Sequence, residues 1–363
     1  MSLEPKDEIK NLEACPHGGI DYAELRAVGS TPDDVLDFSV CFNPFMPPPG
    51  VNRVLQDIVI NRYPDSEATE LRQHLSAKLG VSPDSLLAGS GSIELIRIIA
   101  LTYFRNGDSV LIIEPTFGEY ETNCRLVGAR AVKQRLREED GFKLGMEETL
   151  DLIRQYHPRG VFICNPNNPT GRYINRREIE TILNAIGGNL LILDEAYFAF
   201  TGENWSAVEL ISKGNIVVLR SLTKDYGLAG LRLGYAVARP EIIHNLRRAC
   251  PPWNVNIVAQ KIGVAVLADL DYLEWTQQKI REVKQFLIDE LTRLGLLVLP
   301  SDTNYFLVKV DNATEFRVAL LKYGILVRDC TSFGLPQYIR IAPLAMSDCQ
   351  KLIGVVRAIK NIR

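Results

Sequence analysis

The chain is short of the residues that make a metal centre or a disulfide scaffold recognisable from sequence. Its 363 residues include only four histidines, His17, His74, His157 and His244, far apart along the chain. Seven cysteines, Cys15, Cys41, Cys124, Cys164, Cys250, Cys330 and Cys349, are an odd number, and none forms a Cys-x-x-Cys pair. No zinc site of familiar spacing and no disulfide framework follows from such a pattern. The cysteines are expected to be reduced and to fill core or surface positions. An excess of positive charge is also missing: 41 Lys and Arg face 44 Asp and Glu, a net charge of −3, and no basic stripe stands out. Nucleic acid is therefore not an expected partner. No apolar run approaches the roughly 20 residues that cross a bilayer, so no membrane partner is expected either. The stretch from Met1 to Asn11 is polar and mixed in charge and does not read as a signal peptide. A cytoplasmic protein is the resulting expectation. Internal repeats and low-complexity segments are absent as well.

What is present is globular in character, with 46% hydrophobic and 23% charged residues and enough chain for two domains. The Pro-rich stretch from Asn43 to Gly50 is rigid and extended, and it marks the end of an N-terminal arm, residues 1–45. Beyond it, short apolar runs alternate with amphipathic lengths of chain. Ser109–Ile113, Val161–Cys164, Leu190–Leu193, Ile216–Leu219 and Tyr235–Ala238 are predicted strands. Continuously apolar strands separated by helices predict an α/β fold: a large domain, residues 46–250, with a mostly parallel sheet between helices. Around Pro251-Pro252 the pattern changes to a long helical stretch, roughly 255–295, then strands at Tyr305–Val310 and Tyr338–Ala342 with a helix between. That predicts a smaller α+β domain, residues 251–363. In a parallel sheet covered on both faces, ligands bind outside the carboxyl ends of the strands.

Four polar clusters lie at such positions. Gly89-Ser90-Gly91-Ser92 precedes the helical run Ile93–Phe104, where small residues let backbone N–H groups approach an anion at a helix N-terminus. Alone it reads more simply as an ordinary Ser cap after a Gly turn. Asn165-Pro166-Asn167-Asn168-Pro169-Thr170-Gly171 follows the strand Val161–Cys164, and its plain reading is a tight loop. Asp194-Glu195-Ala196-Tyr197 ends the strand Leu190–Leu193. Its acid serves either as a cap or as partner of a cationic ring nitrogen. Ser221-Leu222-Thr223-Lys224 follows the strand Ile216–Leu219, with Arg232 eight residues on. A lone lysine is usually a solvated surface residue, but hydroxyls beside one suit a ligand that is both an aldehyde and a phosphate.

Taken together and in this order, the four clusters resemble the fold-type I pyridoxal 5′-phosphate (PLP) enzymes, and within them the histidinol-phosphate aminotransferase branch of the class I/II aminotransferases. The resemblance runs from about Asp37 to the C-terminus. It implies that Lys224 carries the cofactor as a Schiff base and shuttles protons at the substrate Cα. It implies that Asp194 holds the ring nitrogen's proton and that Asn168 and Tyr197 hydrogen-bond the 3′-oxygen. Ser221, Thr223, Arg232 and the backbone of Ser90 and Gly91 would bind the 5′-phosphate. Phe117 would stack on the ring, where many relatives have Tyr. Tyr63, in Arg62-Tyr63-Pro64-Asp65, resembles the tyrosine that reaches the phosphate of a neighbouring subunit, which implies a homodimer with shared sites. Arg340 matches the arginine that binds the substrate carboxylate.

Two further motifs lean toward decarboxylation of a phosphorylated amino acid. His17-Gly18-Gly19, followed by Asp37-Phe38-Ser39 and Asn43-Pro44, resembles the arm of the threonine-phosphate decarboxylases of cobalamin biosynthesis, as does Arg328-Asp329-Cys330-Thr331-Ser332-Phe333-Gly334. That resemblance implies a cationic clamp of His17, Arg328 and Arg340 around the substrate's phosphate, and L-threonine O-3-phosphate as the substrate. His17 as an arm-packing residue is the plain alternative. The competing expectation is transamination with glutamate and 2-oxoglutarate, as in histidinol-phosphate aminotransferases, with Arg340 on carboxylates and Arg328 on the substrate phosphate. A third, a PLP-binding regulator, is disfavoured because the arm before Asp37 is too short for a DNA-binding module. Whether Glu195, Tyr120, Asn256 or Asn304 touches the substrate stays open.

Overall fold

The computed structural model describes residues 3–10, 12–27, 29–202 and 205–362. Met1, Ser2 and Asn11 of the polar N-terminus lie outside it. Its centre is a seven-stranded sheet. The strands are β1 (Leu86–Gly89), β2 (Ser109–Glu114), β3 (Arg130–Arg135), β4 (Gly160–Cys164), β5 (Leu190–Asp194), β6 (Ile216–Arg220) and β7 (Gly234–Ala238). They lie in the order β1-β7-β6-β5-β4-β2-β3. β3, β2, β4, β5 and β6 run parallel, whereas β7 is antiparallel to both its neighbours. Strands β4 to β7 are buried at every position, as expected where helices cover both faces.

All five predicted strands of this sheet are present, and two more join it. β3, RAVKQR, escaped prediction because it is an edge strand whose alternate residues face water, so it lacks a continuous apolar run. β1 is short and ends in Gly89. Because β7 is antiparallel to β1 and to β6, the carboxyl end of β1 comes to the same edge as those of β4, β5 and β6. That one edge therefore gathers all four polar clusters, and the helix Ser92–Tyr103 presents its N-terminus there.

The second sheet is antiparallel, with β8 (Phe306–Lys309), β9 (Arg328–Asp329) and β10 (Tyr338–Ile341) in the order β9-β10-β8. Its register puts Arg328 directly across from Arg340, so the two side chains share a face. The arm is stitched to this part: Leu36–Asp37 pairs in parallel with Ile325–Leu326, and Ala342 N–H donates to the Phe38 carbonyl at 3.0 Å. Phe38 packs in a core with Leu287, Phe306, Val308 and Leu352. The long helical stretch is two helices, Ile257–Ala268 and Leu270–Arg293, divided at Asp269, whose carboxylate caps the second by accepting from Tyr272 N–H at 3.1 Å. The first packs its apolar side chains into the core of the large sheet. Among the described residues no helix is long and apolar enough to cross a membrane.

One close approach fixes the cluster-bearing edge. A Cβ on Gly234 would come within 2.9 Å of the Arg220 carbonyl oxygen and 2.9 Å of the Ser92 nitrogen, both backbone atoms that cannot swing aside. Gly234→Ala is expected to lower unfolding free energy by roughly 1–3 kcal/mol in urea titration. An unchanged midpoint and slope would contradict this packing.

Candidate active site

A cavity of about 170 Å³ opens between the cluster-bearing edge, the arm and the small sheet. Lys224, Asn168, Tyr197 and Phe117 line it from the large sheet's side, His17 from the arm, and Arg328 and Arg340 from the small sheet. The turn carrying Lys224 is held from the arm: Asn43, fully buried, takes the Lys224 carbonyl on its backbone N–H at 2.8 Å. Its side-chain amide donates to the Asp225 carbonyl and to Thr276, each at 2.9 Å. The lysine Nζ lies 5.8 Å from the centre of the Tyr197 ring. Burial holds its pKa below the ordinary lysine value, and the Arg340 and Arg232 charges push the same way.

Beside it, Asp194 ends β5 and is buried. Its Oδ2 accepts from the Tyr120 hydroxyl at 2.7 Å and its Oδ1 from the Ala196 N–H at 3.0 Å. Burial raises its pKa above the usual carboxylate range, and these two hydrogen bonds oppose the rise. Tyr120 is stacked on Phe162 at 4.9 Å and meets Phe117 edge-on at 5.7 Å. Tyr197 meets Tyr305 edge-on at 4.9 Å; burial lifts its pKa far above the ordinary tyrosine value, so its hydroxyl keeps its proton.

The Asn-Pro loop after β4 is locked in place. Asn167 donates to the Pro115 carbonyl at 2.8 Å and to Thr170 at 2.9 Å, and accepts from Thr116 at 2.9 Å. Its own carbonyl accepts from the Tyr305 hydroxyl at 3.0 Å. The Asn168 side-chain oxygen accepts from Arg340, which leaves its NH₂ group as the free donor. Arg340 also donates to the Ser39 carbonyl at 2.6 Å, and its Nε is buried without a partner.

At the other end of the edge, Gly91 has φ +80°, and a Cβ there would come within 2.8 Å of the Arg232 guanidinium. Only a glycine lets that cation lie against the turn. Ser90 N–H donates to Glu94 at 2.7 Å, and the Thr223 hydroxyl bonds the Leu233 backbone at 3.1 and 3.2 Å. Ser221 is buried beside them. Tyr63 is 77% exposed, stacks on Trp253 at 4.3 Å, and does not line the cavity of its own chain.

This arrangement fits a flat cationic ring with an anionic tail. Asp194 is a buried carboxylate whose two donors, the Tyr120 hydroxyl and the Ala196 N–H, are neutral, so a ring N–H⁺ would give it a charged partner. Arg232 and the Gly91 turn could cradle an anion, and Lys224 offers an amine to the cavity.

The remaining open positions, Glu195, Tyr120, Asn256 and Asn304, do not line the cavity. Glu195 is buried in an ion pair with Arg220 at 2.8 Å and accepts from Ser206 and the Ala207 N–H. Asn256 caps the helix Ile257–Ala268. Asn304 is buried, with its NH₂ group unpartnered. Tyr120 reaches Asp194 rather than the cavity. Sequence reasoning missed Ser39, Asn167 and Tyr305, whose contributions are backbone contacts or long-range bonds.

The chain belongs to the aminotransferase class I and II family, whose profile matches residues 33–359, and is a PLP-dependent enzyme. It is 37% identical over 326 residues to a histidinol-phosphate aminotransferase of Thermoanaerobacter sp. (strain X514), covering 88% of this chain and 90% of that protein. The histidinol-phosphate aminotransferase of Sinorhizobium meliloti, solved in complex with pyridoxal-5′-phosphate, superposes with a TM-score of 0.87 at 23% identity over 99% of both chains. The L-threonine-O-3-phosphate decarboxylase of Porphyromonas gingivalis superposes with a TM-score of 0.78 at 28% identity, over 89% of this chain and 99% of that one.

These findings correct the expectation of a threonine-phosphate decarboxylase, a carboxy-lyase of cobalamin biosynthesis. The nearly full-length likeness to histidinol-phosphate aminotransferases is the stronger one, and the supposed phosphate clamp is differently built. The His17 imidazole lies 3.0 Å from a Glu119 carboxylate oxygen, not against an arginine. Arg328 spends donors on the Pro16 and His17 carbonyls, each at 2.9 Å, and on Ser332 at 2.7 Å.

Removing the Tyr120 hydroxyl leaves Asp194 one donor short in a dry site. Tyr120→Phe is expected to cost roughly 1–3 kcal/mol of unfolding free energy in the cofactor-free protein. Identical denaturation curves for the two proteins would contradict the bond's importance.

Proposed function

We propose that this protein transfers an amino group between histidinol phosphate and the glutamate/2-oxoglutarate pair. The observation that carries the reading is the pair Arg328 and Arg340, facing one another across the small sheet and lining the same cavity as Lys224. Two guanidinium groups and one amine lining a single cavity suit a substrate that carries an anionic group.

When bound, PLP supplies an electron sink for the pair released at the substrate Cα. Lys224 holds it and moves the proton at Cα, and its lowered pKa leaves more neutral amine available to accept that proton. Asp194 would keep the ring nitrogen protonated, and the Asn168 NH₂ and Tyr197 hydroxyl would donate to the 3′-oxygen. Phe117 would cover the ring, and Ser90, Gly91, Ser221, Thr223 and Arg232 would surround the 5′-phosphate. Arg340 would bind the glutamate carboxylate and hold it away from cleavage, so that Cα–H is the bond presented for breaking. Arg328 takes the phosphate of the larger substrate, exchanging some of its bonds to the arm.

The proposal includes a homodimer in which Tyr63 completes a neighbouring subunit's phosphate site, in keeping with its exposure here. It also includes a cytoplasmic setting. The proposed division is an arm (1–45), a cofactor-binding part (46–250) and a small part (251–363), with the helix Ile257–Ala268 packed back on the large sheet.

A pair of variants tests the assignment by glutamate formation from histidinol phosphate and 2-oxoglutarate. Lys224→Ala is expected to lose at least about 100-fold in rate, the scale of a missing general base. His17→Ala loses one hydrogen bond at the arm and is expected to stay within about tenfold. Near-normal turnover by the lysine variant would overturn the reading.

A further inference from the structure

The arm brings two side chains to the cavity mouth that the proposed reaction does not use, Cys15 and His17. Both meet Glu119, the first residue of the helix Glu119–Leu126. The Cys15 Sγ, the His17 Nε2 and a Glu119 carboxylate oxygen all lie within 4.8 Å of one another. A tetrahedral zinc ion with bonds of about 2.0–2.3 Å holds its ligands about 3.3–3.8 Å apart. The three donors need only sub-ångström to ångström adjustments to reach that spacing.

Each donor is held from behind. Glu119 is buried, and its second carboxylate oxygen accepts from the Asn123 amide at 3.1 Å. Arg328 grips the arm on either side of the His17 ring through the Pro16 and His17 carbonyls. Cys15 rests against Gly118, where a Cβ would meet its sulfur at 2.6 Å, so any larger residue at 118 would expel it.

We propose that Cys15, His17 and Glu119 form a binding site for a zinc-like divalent transition metal that pins the arm across the cavity mouth. The thiolate and imidazole select a borderline-soft ion and exclude Mg²⁺ and Ca²⁺, which take oxygen ligands. A thiolate and a carboxylate together neutralise the ion's two charges. Three protein ligands leave a fourth position open to water or a small anion. In the metal-free protein the His17–Glu119 bond keeps the arm in place. With the ion bound, residues 15–17 are tied to residue 119, substrate entry is restricted, and turnover falls until a chelator is added.

The test is equilibrium dialysis of the PLP-loaded protein against Zn²⁺, with bound metal counted by elemental mass spectrometry, for the parent chain, Cys15→Ser and Glu119→Gln. The tetrahedral d–d bands of Co²⁺, which lie away from the cofactor's absorbance, provide a second readout. The expected result is one Zn²⁺ per chain, not displaced by excess Mg²⁺, with affinity at least about tenfold weaker in each variant. Absence of saturable binding at one ion per chain, or equal affinity in the parent and both variants, overturns the proposal.

Discussion

A carboxylate sealed inside a protein is stable as an anion only if hydrogen bonds and a cation replace the water it has lost. Asp194 is such a group. It ends the middle strand of the sheet's buried region, and two donors, the Tyr120 hydroxyl and the Ala196 N–H, meet its two oxygens. Burial still holds its pKa above the usual range. The Lys224 charge also opposes the rise, and a bound cation such as the protonated ring nitrogen of PLP would oppose it further. Much of the surrounding packing maintains that position: Phe162 in the neighbouring strand stacks on Tyr120, and Phe117 meets it edge-on.

The strand order then decides what stands next to Asp194. β4, β5 and β6 are adjacent and parallel, so the loops after them bring Asn168 and Lys224 to the same edge. The arm and the small sheet close the site from the other side. Asn43 fastens the lysine-bearing turn, while Arg340 bonds both Asn168 and the Ser39 carbonyl. Three distant stretches of chain are thus braced through polar groups that line or border one cavity. A change in any of them is felt at the lysine.

The sheet was legible where the sequence carries continuous apolar runs, and the four clusters after or before those runs marked its functional edge. β3 was not, because an edge strand of Arg, Lys and Gln carries no such signal. The division of the long helix rested on a single capping aspartate, Asp269, inside an otherwise helical pattern. Lys224, Asp194 and Asn168 could be singled out because their neighbours form ordered motifs. The partners of His17 and Arg328 could not be found that way: Glu119 is 102 residues from His17 in the chain, and the Arg328 contacts are to backbone carbonyls. The neighbour of the arm histidine is thus a distant carboxylate that no local motif discloses.

The proposed reaction breaks the Cα–H bond of an amino acid whose carboxylate an arginine holds. It is tested most directly by incubating the PLP-loaded protein with L-glutamate in D₂O and following the Cα proton by NMR. Enzyme-dependent replacement of that proton by deuterium is expected, accompanied by 2-oxoglutarate in amounts up to one per active site. A Cα proton that persists at the rate of a protein-free control, with no 2-oxoglutarate formed, would contradict it.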